Sequence, residues 1–250
     1  MKFQLTNLEV VGSTNDVALE AARSGAEDGL VVWAQQQSKG RGQRNHTWES
    51  QPKSSLTFSV LFRPNQEELT LLGRFTALGA LAVAQAVQAK TGIEAQVKWP
   101  NDVLLNSKKI CGVLAETDLQ AGNANAVVVG VGVNLLPGAF GENIMMNYPA
   151  SDVLSETGCC LDAETWLWAI LEAMQELREL LPGDAFIREW NERLAFKGEM
   201  KSIRNHKGET GLFRLLGISS DGSLLVENAG GQEFSFQSAE VLPSSSSSSE

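Results

Sequence analysis

The chain has 250 residues, 43% of them hydrophobic, and its 30 acidic against 20 basic side chains leave a net charge of −10. That balance argues against a surface built to grip nucleic acid, which needs basic patches, and no run approaches the ~18 uncharged apolar residues of a membrane span. Cys111 and the adjacent Cys159 and Cys160 make no CxxC, so neither a metal site nor a disulfide framework is expected, and an N-terminus without the apolar core of a signal peptide points to the cytoplasm.

In chain order, Ser13-Thr14-Asn15-Asp16 opens a helical pattern with cap residues and a first-turn carboxylate, closed by Gly25. Leu30 to Ala34 reads as a buried strand. Leu56, Phe58, Val60 and Phe62 alternate with Thr57, Ser59 and Leu61, a strand with one strongly apolar face. Residues 67–90 carry helical periodicity. Strands then cluster over 95–99, 103–106, 110–116 and 126–133, with turns at Asn106-Ser107-Lys108 and Ala121-Gly122-Asn123. Helices follow over 162–181 and 184–194. Strands interrupted by helices, with hairpins between neighbours, predict a mixed sheet backed by helices, an α/β (α+β) fold. Beyond residue 195, four or five short strands separated by turns at Asn205–Gly208, Ser220–Ser223 and Ala229–Gly231 predict a small β-barrel. The expected division is therefore 1–195, 196–243 and a disordered, serine-rich tail over 244–250.

Three segments combine residues suited to chemistry. In Lys39-Gly40-Arg41-Gly42-Gln43-Arg44, with Gln37 before and Trp48 after, glycines let backbone N–H groups approach an oxyanion, and arginine offers a planar fork of donors. The loop alone reads equally as a flexible turn; it is neither a Walker loop nor a dinucleotide fingerprint. Lys98-Trp99-Pro100-Asn101-Asp102 leads to Lys108-Lys109-Ile110-Cys111-Gly112. Period-two alternation there puts Lys109 with Cys111 on one face, and Lys108, Ile110 and Gly112 on the other. Lys108 fits a solvated hairpin tip; for Lys109 a ligand role and a surface role stand level. Gly130-Val131-Gly132-Val133-Asn134 places glycines inside a strand, which marks a close approach by ligand or backbone. Ser13-Thr14-Asn15 offers three polar groups where a helix cap needs one, beside free N–H donors.

These segments, in this order over residues 10–135, resemble the biotin–protein ligases. The resemblance implies a mixed, largely antiparallel sheet backed by helices, of the class II synthetase-like biotin–lipoate ligase type, with a C-terminal Src-homology-3-like barrel. It implies an enzyme that joins biotin to Mg-ATP, giving biotinyl-5′-adenylate and pyrophosphate, and then passes biotin to a lysine of the biotin carboxyl carrier protein of acetyl-CoA carboxylase. Ser13, Thr14, Asn15, Gln37, Arg41, Gly42, Gln43, Lys109, Gly112 and Gly130 would bind biotin. Arg41, Arg44, Trp48, Asn101, Lys109, Gly132 and Asn134 would meet the nucleotide, and Lys109, Arg41 and Asp102 would carry the chemistry, with Asp102 orienting or deprotonating the incoming amine. Trp48 and Trp99 would supply apolar walls. Mg²⁺ would come with ATP rather than be held by side chains alone. The chain departs from the pattern at Gln43, where many members carry arginine; Arg44 is the candidate substitute. Bifunctional members begin with a DNA-binding domain, and here the pattern starts near residue 8, so a ligase without repressor function is expected; a homodimer stays open. A lipoate or octanoyl ligase is the nearest alternative enzyme, and a biotin-binding or carrier-docking module without turnover the non-enzymatic one.

Overall fold

The computed structural model describes residues 1–43, 47–48, 51–120, 123–140 and 148–243. The turn expected at Ala121-Gly122 and the serine-rich tail lie outside the described residues. A seven-stranded sheet runs in the order β1-β2-β3-β7-β6-β5-β4, and a five-stranded sheet in the order β11-β10-β9-β8-β12. The first is the mixed, largely antiparallel sheet that the pattern predicts: β1 (Gln4–Val11) pairs parallel with β2 (Leu30–Gln37), and the other pairings are antiparallel. No helix among the described residues is long and apolar enough to cross a membrane.

Alternation in β3 (Ser55–Phe62) and β7 (Asn123–Asn134) decides what each face of this sheet does. Phe58, Val60 and Phe62, with Val127, Val129, Val131 and Val133, enter the main core. There α2 (Arg74–Thr91) lies on the sheet and α4 (Ala163–Leu180) packs on α2. The opposite face is thinner. It buries Ala18 and Ala22 of α1 (Thr14–Arg23) against Val32, Leu61, Ala126 and Val128, and it carries Ser59, Gly130 and Gly132 on the remaining rungs. A period of two thus separates a hydrophobic face from a working one.

β5 (Asp102–Leu105) and β6 (Lys108–Gln120) form the expected hairpin. Asn106 (φ 49°) and Ser107 (φ 62°) occupy its two-residue turn, the left-handed pair that matches strand twist. The alternation expected at Lys109 does not hold. Val103 pairs with Cys111 and Leu104 with Lys109, so Ile110 is an extra residue in a bulge. The bulge moves Lys109 onto the face of Gly112 and leaves Cys111 buried in the core. The helix expected over 67–90 is divided into a 3₁₀ turn, Glu68–Leu71, and α2. Asn65 Oδ1 accepts from Glu67 and Glu68 N–H and fixes the turn, while the buried Arg74 at the start of α2 reaches the carbonyls of Leu181 and Ser220. β1 and α3 (Val153–Thr157) have no counterpart among the expected elements.

α5 (Asp184–Glu192) ends before Leu194, because the chain there turns to β4 (Gln96–Lys98): Val97 N–H donates to Arg193 O at 2.7 Å, and Ala195 N–H to Val97 O at 3.0 Å. Five short strands follow: β8 (Met200–Asn205), β9 (Thr210–Ile218), β10 (Leu224–Glu227), β11 (Glu233–Phe236) and β12 (Ala239–Val241). Gly208, Gly222 and Gly231 take positive φ in their turns. Ile203, Leu215, Leu224, Val226 and Val241 join the same continuous core as the first sheet.

Candidate functional site

The working face carries a cleft, open to solvent, between α1's N-terminus, the loop after β2 and strands β6 and β7. Its floor is main chain. Gly112 and Gly132 face each other across β6 and β7, and Gly130 lies two pairs on, on the same face. A Cβ on Gly132 would sit 2.3 Å from the Trp48 ring, and one on Gly130 would sit 2.2 Å from Asn15 Oδ1. Only glycine permits these approaches.

The polar wall is one hydrogen-bonded unit. Gln37 Oε1 accepts from Thr14 N–H at 2.7 Å and from Thr14 Oγ1 at 3.1 Å. Gln37, not Ser13, therefore caps α1; Ser13 makes no cap bond and is buried on the cleft wall. Ser59 Oγ donates to Asn15 Oδ1 at 2.6 Å and lies 2.7 Å from Thr14 Oγ1. Asn15 Nδ2 in turn donates to Glu116 Oε2 at 2.7 Å. Ser59 escaped the sequence reading, which set it on the less apolar face of the strand; the structure buries β3 throughout.

Two cations stand in the cleft. Arg41 donates to Asp16 Oδ1 at 2.6 Å and to Glu116 Oε2 at 2.8 Å. The Asp16 bond and then Glu116 raise its guanidinium against the opposing effect of burial. Asp16 and Glu116 were not singled out in the sequence, because nothing local shows that residues 25 and 75 positions from Arg41 converge on it. Lys109 Nζ lies 2.6 Å from Asp102 Oδ1 and about as near Gly112 as a Cβ there would allow, 3.3 Å. Asp102 also takes Lys98 Nζ on Oδ2 at 2.9 Å. Burial would raise the Asp102 carboxyl, but Lys109 and Lys98 outweigh it and hold it below the usual carboxylate range. Asp102 stands behind Lys109 rather than on the cleft wall. Cys111, beside it, is pushed upward by burial and is an inert thiol.

Of the residues expected here, Ser13, Thr14, Asn15, Gln37, Arg41, Gly42, Trp48, Asn101, Lys109, Gly112, Gly130 and Gly132 line this one cleft. Asn101 is set by mutual bonds with Val113, its Nδ2 donating to Val113 O and its carbonyl accepting Val113 N–H, both at 3.0 Å. Gln43 is half-buried beside Gly42 and outside the lining. Arg44 lies outside the described residues. Asn134 is buried past the end of the cleft, where Nδ2 donates to Ser151 O at 3.0 Å. Trp99 forms no wall: its indole N–H needs a partner and finds Gly222 O at 3.1 Å, on the second sheet. Lys108 pairs with Glu156 at 2.8 Å, as a hairpin-tip lysine. The arrangement offers hydrogen bonds to a compact polar head, a flat surface under Trp48, and two cations for an oxyanion.

The model of the biotin/lipoate A/B protein ligase family matches residues 8–134. The biotin–[acetyl-CoA-carboxylase] ligase of Paracoccus denitrificans is 34% identical over 229 residues, 88% of this chain and 93% of that one. The bifunctional ligase/repressor BirA of Bacillus spizizenii is 36% identical over 127 residues, 51% of this chain, and the match spans 39% of that relative's length. Among solved structures, biotin protein ligase from Aquifex aeolicus in complex with biotin and ATP has a TM-score of 0.82 at 26% identity, over 98% of this chain and 100% of that one. With half the chain matched by the family model and a relative aligned nearly end to end, the chain belongs to the biotin/lipoate A/B protein ligase family.

Proposed function

We propose that the protein is an ATP-dependent biotin–protein ligase. One observation carries this reading. A single glycine-floored cleft combines the Ser13–Asn15 and Gln37 wall with the Arg41 and Lys109 cations. A ureido ring asks for several fixed hydrogen bonds, whereas an aliphatic acyl chain asks for a long apolar tunnel; the polar wall favours biotin over lipoate. The relatives named for biotin–[acetyl-CoA-carboxylase] ligation support the same substrate and, as acceptor, a lysine of the biotin carboxyl carrier protein.

Two steps follow. A biotin carboxylate oxygen attacks the α-phosphorus of ATP, and pyrophosphate leaves with the bonding pair. The carrier lysine's neutral amine then attacks the acyl carbon, an amide forms, AMP departs with the bonding pair of the acyl–oxygen bond, and the amine's proton passes to the departing phosphate or to water. Both steps bring anions together, and Lys109 and Arg41 supply the opposing charge. Arg41 reaches a phosphate by leaving Asp16 and Glu116. A depressed carboxyl is a weak base, so Asp102 orients Lys109 rather than taking the amine's proton. Trp48 covers the adenylate and Asn101 flanks the nucleotide, while Asn134, held on Ser151 outside the cleft, makes no such contact; Mg²⁺ bound with ATP would supply further positive charge to the phosphates. Residues 196–243 are the small C-terminal unit of this reading, packed on the catalytic part through a shared core.

The test is direct. Purified protein with biotin, Mg-ATP and an apo carrier domain should add one biotin to the carrier by mass spectrometry and release pyrophosphate. Titration heat for lipoate alone would reverse the substrate assignment, and biotin binding without pyrophosphate would reduce the protein to a binding module.

A further inference from the structure

A buried column of aromatic and charged side chains runs from the second sheet to the cleft. It ends on Lys98, the motif residue that the proposed chemistry leaves without a task. Lys98 is 7% exposed and does not line the cleft. Its Nζ lies 2.9 Å from Asp102 Oδ2 and 4.6 Å from the centre of the Tyr148 ring. Tyr148 stacks on Phe196 at 5.6 Å between centroids and 22° between planes. Its hydroxyl donates to Leu242 O at 2.9 Å. Lys201 Nζ covers the Phe196 ring at 4.1 Å and pairs with Glu199 at 3.0 Å. Phe196 holds this place with φ at +62°, a region that a bulky side chain keeps only where its surroundings impose it.

A buried ammonium is costly unless it is well paired, and Lys109 alone would suffice to neutralise Asp102. The second lysine therefore does more than balance a charge. With two cations on one carboxylate, the cluster keeps one net positive charge. Lys98 on Oδ2 leaves Oδ1 to Lys109, so Lys109 is held in place without being cancelled as an anion-binding group. We infer that Lys98, seated on the Tyr148–Phe196 pair, is the positioning residue that sets the charge and aim of Lys109, and that through it the second sheet governs the anion affinity of the cleft. This rests on the ligase reading of Lys109.

The experiment replaces Lys98 by methionine, which keeps the length and removes the charge. Lys98→Met should lower kcat/KM for pyrophosphate release about tenfold or more, the size of a lost charge-assisted bond. Its acid limb should move to higher pH, since Asp102 loses one of its two cations. Asp102 pairs with Lys98 of β4 and Lys109 of β6, and its charge acts on the Cys111 thiol and on the Tyr148 hydroxyl, on which Glu199 and Glu240 act as well. Lys98→Arg should restore most of the activity. A Lys98→Met protein with wild-type kcat/KM and an unmoved acid limb overturns the inference. Should that variant fail to fold, Tyr148→Phe against Tyr148→Leu decides: the ring-bearing variant should exceed the other about tenfold in kcat/KM, and equal values overturn it. Carboxyl-carbon NMR of Asp102 needs no turnover. A wild-type protein that releases no pyrophosphate sinks the ligase reading alone, and the column is then judged by whether the Asp102 midpoint is higher in Tyr148→Leu than in Tyr148→Phe; equal midpoints overturn it.

Discussion

At the scale of the residue, what decides the cleft is how little stands on its floor. A methyl group on Gly130 would sit 2.2 Å from Asn15 Oδ1, inside any tolerable contact. Gly130→Ala must push Asn15 off Ser59 and Glu116, an overpacking cost of about 1–3 kcal/mol. Urea melts should show that loss, and biotin titration should show no heat. Lys109→Ala leaves the buried Asp102 carboxylate still paired with Lys98. Its melt should stay near wild type while pyrophosphate release falls about tenfold or more, in line with a charge-assisted bond of ~1.5–3 kcal/mol; near-normal turnover would remove Lys109 from the site. Much of this was legible in the sequence: Ser13 to Asn15, Gln37, Arg41, Lys109 and the three glycines are residue types that a solvated loop or plain sheet does not require. Asp16, Ser59, Glu116 and the task of Lys98 were not, since each acquires meaning only from a partner far along the chain. The side of Lys109 was misread for another reason: a one-residue bulge at Ile110 reverses alternation without leaving a mark in composition.

Elements were legible where a face is apolar. β3, α2 and α4 carry strong periodicity, and the structure has them at the expected places. β1 is an edge strand whose side chains are mostly exposed, and α3 is five residues long, so neither shows a periodic signal. α3 nevertheless anchors the β5–β6 hairpin. Glu156 accepts from Asn106 and Lys108 at 2.8 Å each and from Ser151 Oγ at 2.5 Å. The Lys108, Ser151 and Asn106 bonds hold its carboxyl down to about 2, against 4.5 ordinarily. The folded form binds this proton less readily than the unfolded one. The stabilisation is therefore complete above the ordinary value of 4.5 and disappears as pH falls through about 2. Glu156→Gln should cost about 2 kcal/mol at pH 7. Urea melts from pH 7 to pH 2 should show the two proteins converging as the wild-type carboxylate takes up its proton. A gap of constant size would deny the ionised carboxylate its part.

Across the whole molecule, long-range fasteners hold layers that periodicity alone could only list. Arg178 of α4 donates to Asp28 at 2.8 Å, to Glu68 at 2.8 Å and to Arg63 O at 2.9 Å. Burial would raise Glu68, but Arg178 and the Asn65 N–H hold its carboxyl below the usual range. Arg178→Met strands the Glu68 carboxylate in a place 3% exposed, and it should cost about 3–5 kcal/mol in a urea melt at pH 7. A second substitution, Glu68→Gln, should return part of that loss; a double variant no better than the single would show that Glu68 is not the injured partner. The rungs that join Val97 to Arg193 and Ala195 carry a further consequence. With Arg74 on Ser220, Trp99 on Gly222 and Tyr148 on Leu242, they rivet the smaller sheet to the larger at several separated places. A jaw-like swing between the two halves would have to break all of them together. The two sheets therefore move as one body, and any change in the width of the cleft has to come from its own walls rather than from a hinge between the halves.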